Sequence, residues 1–442
     1  MAIKLRTLVA VALTALILTG AGYYFIPSYL NKGSSSHFVP EKTGSMIRAN
    51  DAAATPEATE SLANASNQFG FEFYDCLNDG AGGNIFFSPY SIAAAYAMLY
   101  EGAKGQTADE IRAVFHFPQN DTARRANFAY LYNRLNLDNQ GYTLNTADAA
   151  WVQEDYPILK EYLDIVKDYY MGNATNLDFK KATEAARQTI NKWVEDHTGG
   201  RIKELVKPDE IDSYTAFVLT NAIYFKGDWQ IQFDSAKTAQ KDFHLASGAT
   251  VKVPMMAMDS KDAKFNFLDR TNQGYQEDQL KLLELPYKGE NVSMFFLLPK
   301  DNDLSALERS LTPEKLSNWQ NAMEKEGGLD IQLPKFKMDC RYDLKKILKE
   351  MGMPSAFSST DADFSGIDGN HNNIYISSSA HQANIEVNEK GTEAAAATHV
   401  TGTYAGISPS FVADHPFIFL IQDKATGTIL FMGRVSDPTK GM

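Results

Sequence analysis

Ile385–Ser410 reads IEVNEKGTEAAAATHVTGTYAGISPS, and the reading of this stretch decides the fold. Ile385 and Val387 are apolar and β-branched, as a half-buried strand requires. After Gly391 the character changes to Thr392, Glu393, Ala394, Ala395, Ala396, Ala397 and Thr398, then two glycines and Pro409. Four alanines remove little apolar area from water, at roughly 25 cal/mol per Å². They do not build a core, but they slip between other elements without steric conflict. Two local readings compete. One is a short helix with Thr392 as N-cap and alanines as the best helix formers. The other is a conditional strand. In it Thr392, Ala394, Ala396, Thr398 and Val400 alternate onto one uncharged face, with Glu393, His399 and Thr401 on the other. Gly391 is free to take positive φ and supplies a hinge. Nothing local separates the two readings.

The chain has 442 residues, 44% of them hydrophobic and 12% aromatic, which suits a large buried core. Net charge is −13, which disfavours nucleic acid or another polyanion as partner. Arg124–Arg125 is the one conspicuous basic pair of the early helical region and reads as a solvated face. Cys76 and Cys340 form no CxxC, so a zinc ribbon or thioredoxin-type motif is excluded, while pairing and free buried thiols both stay open. Lys4 and Arg6 precede an apolar run from Leu8 to Leu18, the pattern of an export signal. Leu8–Leu30 is long enough to span a bilayer, with Tyr23 and Tyr24 at an interface. Residues 1–30 are therefore a signal peptide or an N-terminal membrane anchor. The body is expected outside the cytoplasm, either secreted or tethered to the outer face of the membrane. Residues 31–60 are small and polar, the composition of a flexible linker, which leaves 61–438 as the folded domain.

Helical spacing is expected over Ala63–Leu77, from Ser91, over 126–135, 156–170 and 182–196, and over Tyr342–Met351. Thr107 and Glu110 have the spacing of a capping box. Ala216–Phe225 is a near-continuous apolar run with Asn221 inside it, the pattern of a strand buried on both faces. Further strands are read at 144–152, 251–254, 264–268, 281–285, 292–298, 329–336, 374–376 and 383–387. A terminal hairpin of 411–423 and 427–435 follows. Helices early and strands late make an α+β protein. Catalytic motifs are missing: there is no GxSxG, HExxH, P-loop or GxGxxG. Ser410, Asp414 and His415 are close in sequence, but a triad needs spatial convergence. Asp361, Asp363, Ser365 and Gly366 begin like a calcium loop, but Asn372 stands where a bidentate Glu is needed. No metal, cofactor or enzyme activity is expected.

Several blocks, taken in order, resemble the serpins, a family of serine protease inhibitors. They include NIFFSPYS (84–91), INKWVEDHTGGRIKEL (190–205), LTNAIYFKGDW (219–229), LPKF (333–336), YDLKKILKEMGM (342–353), Glu386–Thr398, His415–Pro416–Phe417 and Phe431–Met432–Gly433. The resemblance covers about residues 60–438 and points to a prokaryotic, inhibitory member. It implies three β-sheets with a large central sheet A, about eight to nine helices and an exposed reactive-centre loop. It also implies a monomer whose partner is a serine protease, held as a covalent acyl complex. Glu389, Gly391 and Thr392–Thr398 then form the hinge that enters sheet A as a new strand after cleavage. A dozen or so ladder hydrogen bonds at about 1 kcal/mol each would drive that step by on the order of 10 kcal/mol. The small-residue pattern argues for inhibition rather than for a non-inhibitory binding or storage serpin.

Family spacing places the reactive bond seventeen residues from Glu389, counted inclusively, at Ala405–Gly406. A small residue there suits an elastase-like or subtilisin-like protease, while cleavage after Tyr404 suits a chymotrypsin-like one. By the same resemblance Ser88, Ser91, Asn221 and His381 form the shutter, a polar cluster where strands part, and Trp229 is the breach tryptophan at the top of the sheet. Without it, these residues read as a turn, an N-cap, a satisfied core amide, a core histidine and core packing.

Overall fold

The computed structural model describes residues 48–78, 82–136, 141–259, 263–271, 278–371, 373–392 and 409–441. The first helix, α1 (Pro56–Leu77), starts at Thr55, whose side chain accepts from the Ala58 amide, with Pro56 at the first helical position. That start signal lies inside the stretch read as linker. Ala49 is buried as well, and its amide donates to Asn133 Oδ1 at 2.9 Å. The body therefore begins by Ala49 and not at residue 61. β1 (Ile85–Phe87) leads into α2 (Pro89–Tyr100), capped by Ser88 Oγ on the Ser91 amide. α3 (Gly105–Val114) and α4 (Asp121–Leu135) follow. The expected capping box on α3 does not form. Thr107 Oγ1 instead accepts from the Asp363 amide, and Glu110 binds Ser355. Tertiary partners outbid the local ones. Arg124 is no solvated face either: it is buried and ion-paired to Glu101 at 2.9 Å, with Arg125 on the same carboxylate at 2.6 Å.

Next come β2 (Tyr142–Gln153), α5 (Lys160–Tyr170), β3 (Asn173–Leu177), α6 (Phe179–His197) and β4 (Phe217–Asp228). β4 is buried along nearly its whole length, as its apolar run requires. The β-rich part holds β5 (Ala239–His244), β6 (Thr250–Asp259), β7 (Lys264–Asp269), β8 (Leu280–Pro286) and β9 (Val292–Pro299). Two short helices, α7 (Ser305–Ser310) and α8 (Pro313–Asn321), precede β10 (Glu324–Gly327). The expected strand at 329–336 is two strands, β11 (Asp330–Pro334) and β12 (Phe336–Asp343), parted at Lys335. β12 runs on to Asp343, which caps α9 (Leu344–Met351), so that helix starts after Tyr342. α10 (Ser365–Asp368) is one turn. Ten α-helices among the described residues, against eight to nine expected, reflect such one- and two-turn pieces.

The chain ends with β13 (Ile376–Asn388), β14 (Gly391–Thr392), β15 (Ser410–Val412), β16 (Phe417–Asp423) and β17 (Ile429–Val435). The expected first arm of the terminal hairpin divides: β15 pairs with β11, while β16 and β17 pair with each other. The three sheets run β1-β17-β16-β9-β8-β7-β10, β15-β11-β6-β5 and β12-β13-β14-β4-β2-β3. α2 packs on one face of β2 and β4, and α6 packs against β2. On the face away from α2, Ala147, Ala222 and Ala380 lie under Val194 of α6 and under Ile202 and Leu205 of the segment that follows it. No helix among the described residues is long and apolar enough to cross a membrane. The segment Leu8–Leu30 lies outside the described residues.

Candidate functional site

The site is a seam in the six-stranded sheet. β13 lies parallel to β4, with Ser378–Asn384 in register against Val218–Tyr224 and a register shift between Ile376 and Ser378. Above that seam the chain turns back at Glu389–Lys390, and β14 enters between the two strands. It is antiparallel to both: Thr392 faces Val387 on one side and Gly227 on the other. Gly391 sits at φ +151°, and a Cβ there would stand 2.0 Å from the Gly227 carbonyl oxygen, so glycine is required at this entry. Thr392 is buried and shares a 2.8 Å hydrogen bond with the Tyr287 hydroxyl. The Trp229 indole stacks on Tyr287 with centroids 4.6 Å apart, and its Nε1 donates to the Asn388 carbonyl at 3.0 Å. The Trp229 and Phe233 amides donate to the carbonyls of Lys390 and Glu389. Glu389 also takes Lys335 Nζ at 3.0 Å and Thr238 Oγ1 at 2.8 Å. Burial pushes the Glu389 carboxyl up, but bonds from its own backbone, Lys335 and Thr238 outweigh that and hold it below its usual value.

Of the residues expected to form a hinge, Glu389, Gly391 and Thr392 are thus seated at the head of the seam. Glu393, Ala394–Ala397 and Thr398 lie outside the described residues, as do Tyr404, Ala405 and Gly406.

Lower in the seam Ser88, Ser91, Asn221 and His381 come together, all buried. The Ser88 amide donates to His381 Nε2 at 3.1 Å, so the ring proton sits on Nδ1, which faces Asn221 Oδ1. Burial drives the His381 pKa down to about 3, keeping the ring neutral. Asn221 Nδ2 then serves the Ser91 carbonyl at 2.9 Å, Ser91 Oγ at 2.6 Å and Asp148 Oδ1. Ser88 Oγ reaches the Leu430 carbonyl at 2.5 Å, tying the seam to the seven-stranded sheet. Asn221 and His381 are direct neighbours across the β4–β13 pairing, so this bond breaks if the strands part. Asp148, half-buried on β2 opposite Asn221, is raised to about 7 by burial, with the Asn221 bond opposing.

Sequence reasoning missed Asp148, Tyr287, Lys335 and Thr238. Asp148 had a visible signal, a lone carboxylate in a strand of small and apolar residues (Ala147, Ala149, Ala150, Trp151). Tyr287 had none, because its role comes from a neighbour 105 residues away. Asp414 and His415 do meet, Nδ1 to Oδ1 at 2.8 Å, but His415 Nε2 contacts the Pro299 carbonyl at 2.9 Å. Neither ring nitrogen is left to serve a serine. Cys76 and Cys340 are free thiols, Cys76 exposed and Cys340 half-buried.

Three sheets, a short strand seated at the head of a parallel seam and a polar cluster within it define a class of protein, and residues 64–438 match the family Serpin (serine protease inhibitor). A serpin-like protein of Methanosarcina mazei is 40% identical over 408 residues, spanning 90% of this chain and 92% of its own length. Leukocyte elastase inhibitor A of Mus musculus is 39% identical over 86% of this chain and 100% of its own. Uncleaved ovalbumin superposes with a TM-score of 0.78 at 35% identity, covering 86% of this chain and 100% of that one. Thyroxine-binding globulin in complex with thyroxine gives 0.76 at 32%, covering 86% and 100%. The chain belongs to the serpin family, which takes its name from serine protease inhibitors.

Proposed function

We propose that this protein is an irreversible, suicide-type inhibitor of serine proteases that works outside the cytoplasm. The protease's serine oxygen attacks the Ala405 carbonyl, the bond to the Gly406 nitrogen breaks, and the new amine leaves with a proton. The acyl-enzyme is then carried along as the hinge inserts between β13 and β4, before water can complete hydrolysis. The observation that carries this reading is β14: Gly391 and Thr392 already occupy the head of the seam, paired on both sides. Insertion would extend that pairing downward, with Ala394, Ala396 and Thr398 following Thr392 onto the same face. A small residue at 405 favours an elastase-like or subtilisin-like target, in keeping with the relative named a leukocyte elastase inhibitor. Cleavage after Tyr404 by a chymotrypsin-like protease is the second reading of the bond. A binding or storage role is the second reading of the function, favoured by the likeness to thyroxine-binding globulin.

Incubation with pancreatic elastase, chymotrypsin and subtilisin, followed by denaturing gel electrophoresis and mass spectrometry, tests the proposal. It expects a covalent complex that survives denaturation, and a released fragment that starts at Gly406. Clean cleavage by all three, with no complex and no gain in thermal stability, overturns it in favour of the binding role.

A further inference from the structure

The segment between α6 and β4 lies across the seam. Leu205 belongs to one buried cluster with Ala222 of β4 and Ala380 of β13. This segment is fastened to the β2–β4 side. Asn191 of α6 holds Val206 at both backbone groups, 2.8 Å to its carbonyl and 2.9 Å from its amide. Val206 and Ile211 pack with Trp151 and Val218. On the other side of the seam stands Arg341 of β12. It is paired with Gln382, which in turn is paired with Ala222. Arg341 reaches over β13 to that segment: its Nε donates to the Leu205 carbonyl at 2.8 Å and its guanidinium meets the Glu210 carboxylate. Glu210 is itself held by the Lys207 amide at 3.0 Å.

Parting β13 from β4 by one strand separates the two sides by about 4.8 Å. The Leu205 carbonyl, anchored through Asn191, stays with β4, while Arg341 leaves with β12 and β13. The 2.8 Å bond does not survive that shift, since hydrogen bonds end near 3.5 Å. We propose that Arg341 is a clasp across the seam, a positioning residue that sets how readily the sheet opens to admit a strand. It joins the two halves from the face opposite the Asn221–His381 bond, so the seam is held from both sides. The inference rests on the seam as the place of insertion, but its test does not.

Hydrogen exchange of the intact protein reads the opening directly. In Arg341→Ala, amides of Ser378–Asn384 and Val218–Tyr224 are expected to exchange about tenfold faster than in the wild type, the loss of a charge-assisted bond. Amides of β8, β9 and β16 are expected to be unchanged. Arg341→Lys, which keeps the charge but loses the Nε donor and the fork, and Glu210→Gln are expected to show smaller rises confined to the same amides. Should the full truncation not fold, these two variants carry the test. Unchanged seam exchange overturns the clasp, as does an equal rise in all sheets, which marks general destabilisation. No protease enters the measurement, so its outcome is independent of whether a covalent complex forms.

Discussion

The β4–β13 seam and the β9–β16 pairing are both strand contacts in buried sheets, yet they are made of opposite materials. In the second, Ile418, Phe419, Leu420 and Ile421 stand against Leu297, Phe296, Phe295 and Met294, all buried. In the first, Ser378, Ser379, Ala380, His381 and Gln382 stand against Val218, Leu219, Thr220, Asn221 and Ala222. Apolar contacts are non-directional and are lost only by exposing area to water. The bonds of the polar cluster are directional and can be re-formed by incoming partners or by water. One junction is therefore a permanent weld and the other a closure. The row Ala147, Ala222 and Ala380 makes the closure thin on its outer face as well.

The largest effect that tests this contrast falls on the weld. Phe419 is fully buried, with the rings of Phe336 at 5.3 Å and Phe86 at 5.8 Å. Phe419→Ala is expected to remove about 3–5 kcal/mol of stability, cavity included. The chemical denaturation midpoint should fall, with all three sheets melting together. A variant that loses only the seven-stranded sheet while the seam persists would break the comparison, because the seam would not then depend on the weld.

Next is Thr392→Arg, which sharpens the comparison at the head of the seam. Thr392 is buried against Tyr287, and its side chain bonds no acidic group among the described residues. Seating a guanidinium there costs about 3 kcal/mol or more, enough to slow insertion roughly a hundredfold. The expected outcome is a switch from covalent complex to simple cleavage when the variant meets a protease the wild type traps. The gel readout is the complex-to-fragment ratio. An unchanged ratio would mean that insertion does not pass through the position that Thr392 now occupies.

The same contrast explains what the sequence revealed and what it hid. Ala216–Phe225 and the apolar strands from Lys281 onward announced themselves by hydrophobicity. β13 did not: its Ser377–Gln382 run shows neither alternation nor apolar density, so it read as two fragments. Its strand character comes from having partners on both sides, a tertiary fact. The hinge is the same case carried further. Local propensity left helix and strand level over 392–398, and only the resemblance of distant blocks chose between them. The four residues of the polar cluster were grouped by that resemblance alone, since their isolated readings were bland. Arg341 escaped both routes, because a guanidinium in a strand takes its meaning from the residue it meets, and the lone carboxylate of Asp148 went unread.

Asp148 is expected to make the closure sensitive to pH. Its carboxyl accepts from Asn221 of β4, and burial raises its pKa from 3.8 to about 7. A carboxyl that binds its proton more tightly when folded stabilises the protein fully below about pH 4. That contribution is lost as pH rises through about 7. After allowance for partial exposure to solvent, the change should be on the order of 1–2 kcal/mol. Denaturation midpoints measured from pH 5 to pH 8.5 should fall in the wild type. The fall should flatten in Asp148→Asn, which keeps the shape and cannot ionise. Parallel curves for the two proteins would show that the carboxyl titrates as it does in water.

The smallest effect separates the seated hinge from the rest of the closure. Tyr287→Phe removes only the hydroxyl that meets Thr392 Oγ1 at 2.8 Å and leaves the ring stacked on Trp229. Burial pushes the Tyr287 phenol well above its ordinary pKa, so it stays a neutral partner at every working pH. One neutral hydrogen bond is worth about 1 kcal/mol. Because the backbone pairing of β14 to β13 and β4 remains, the loss should not release the whole hinge. The Thr392 amide is expected to exchange about fivefold faster, while amides of His381 and Asn221 keep their protection. A rise that spreads to His381 would mean that the head of the seam and the polar cluster open as one unit. The closure would then be a single cooperative gate, in place of a hinge seated above an independently bonded seam.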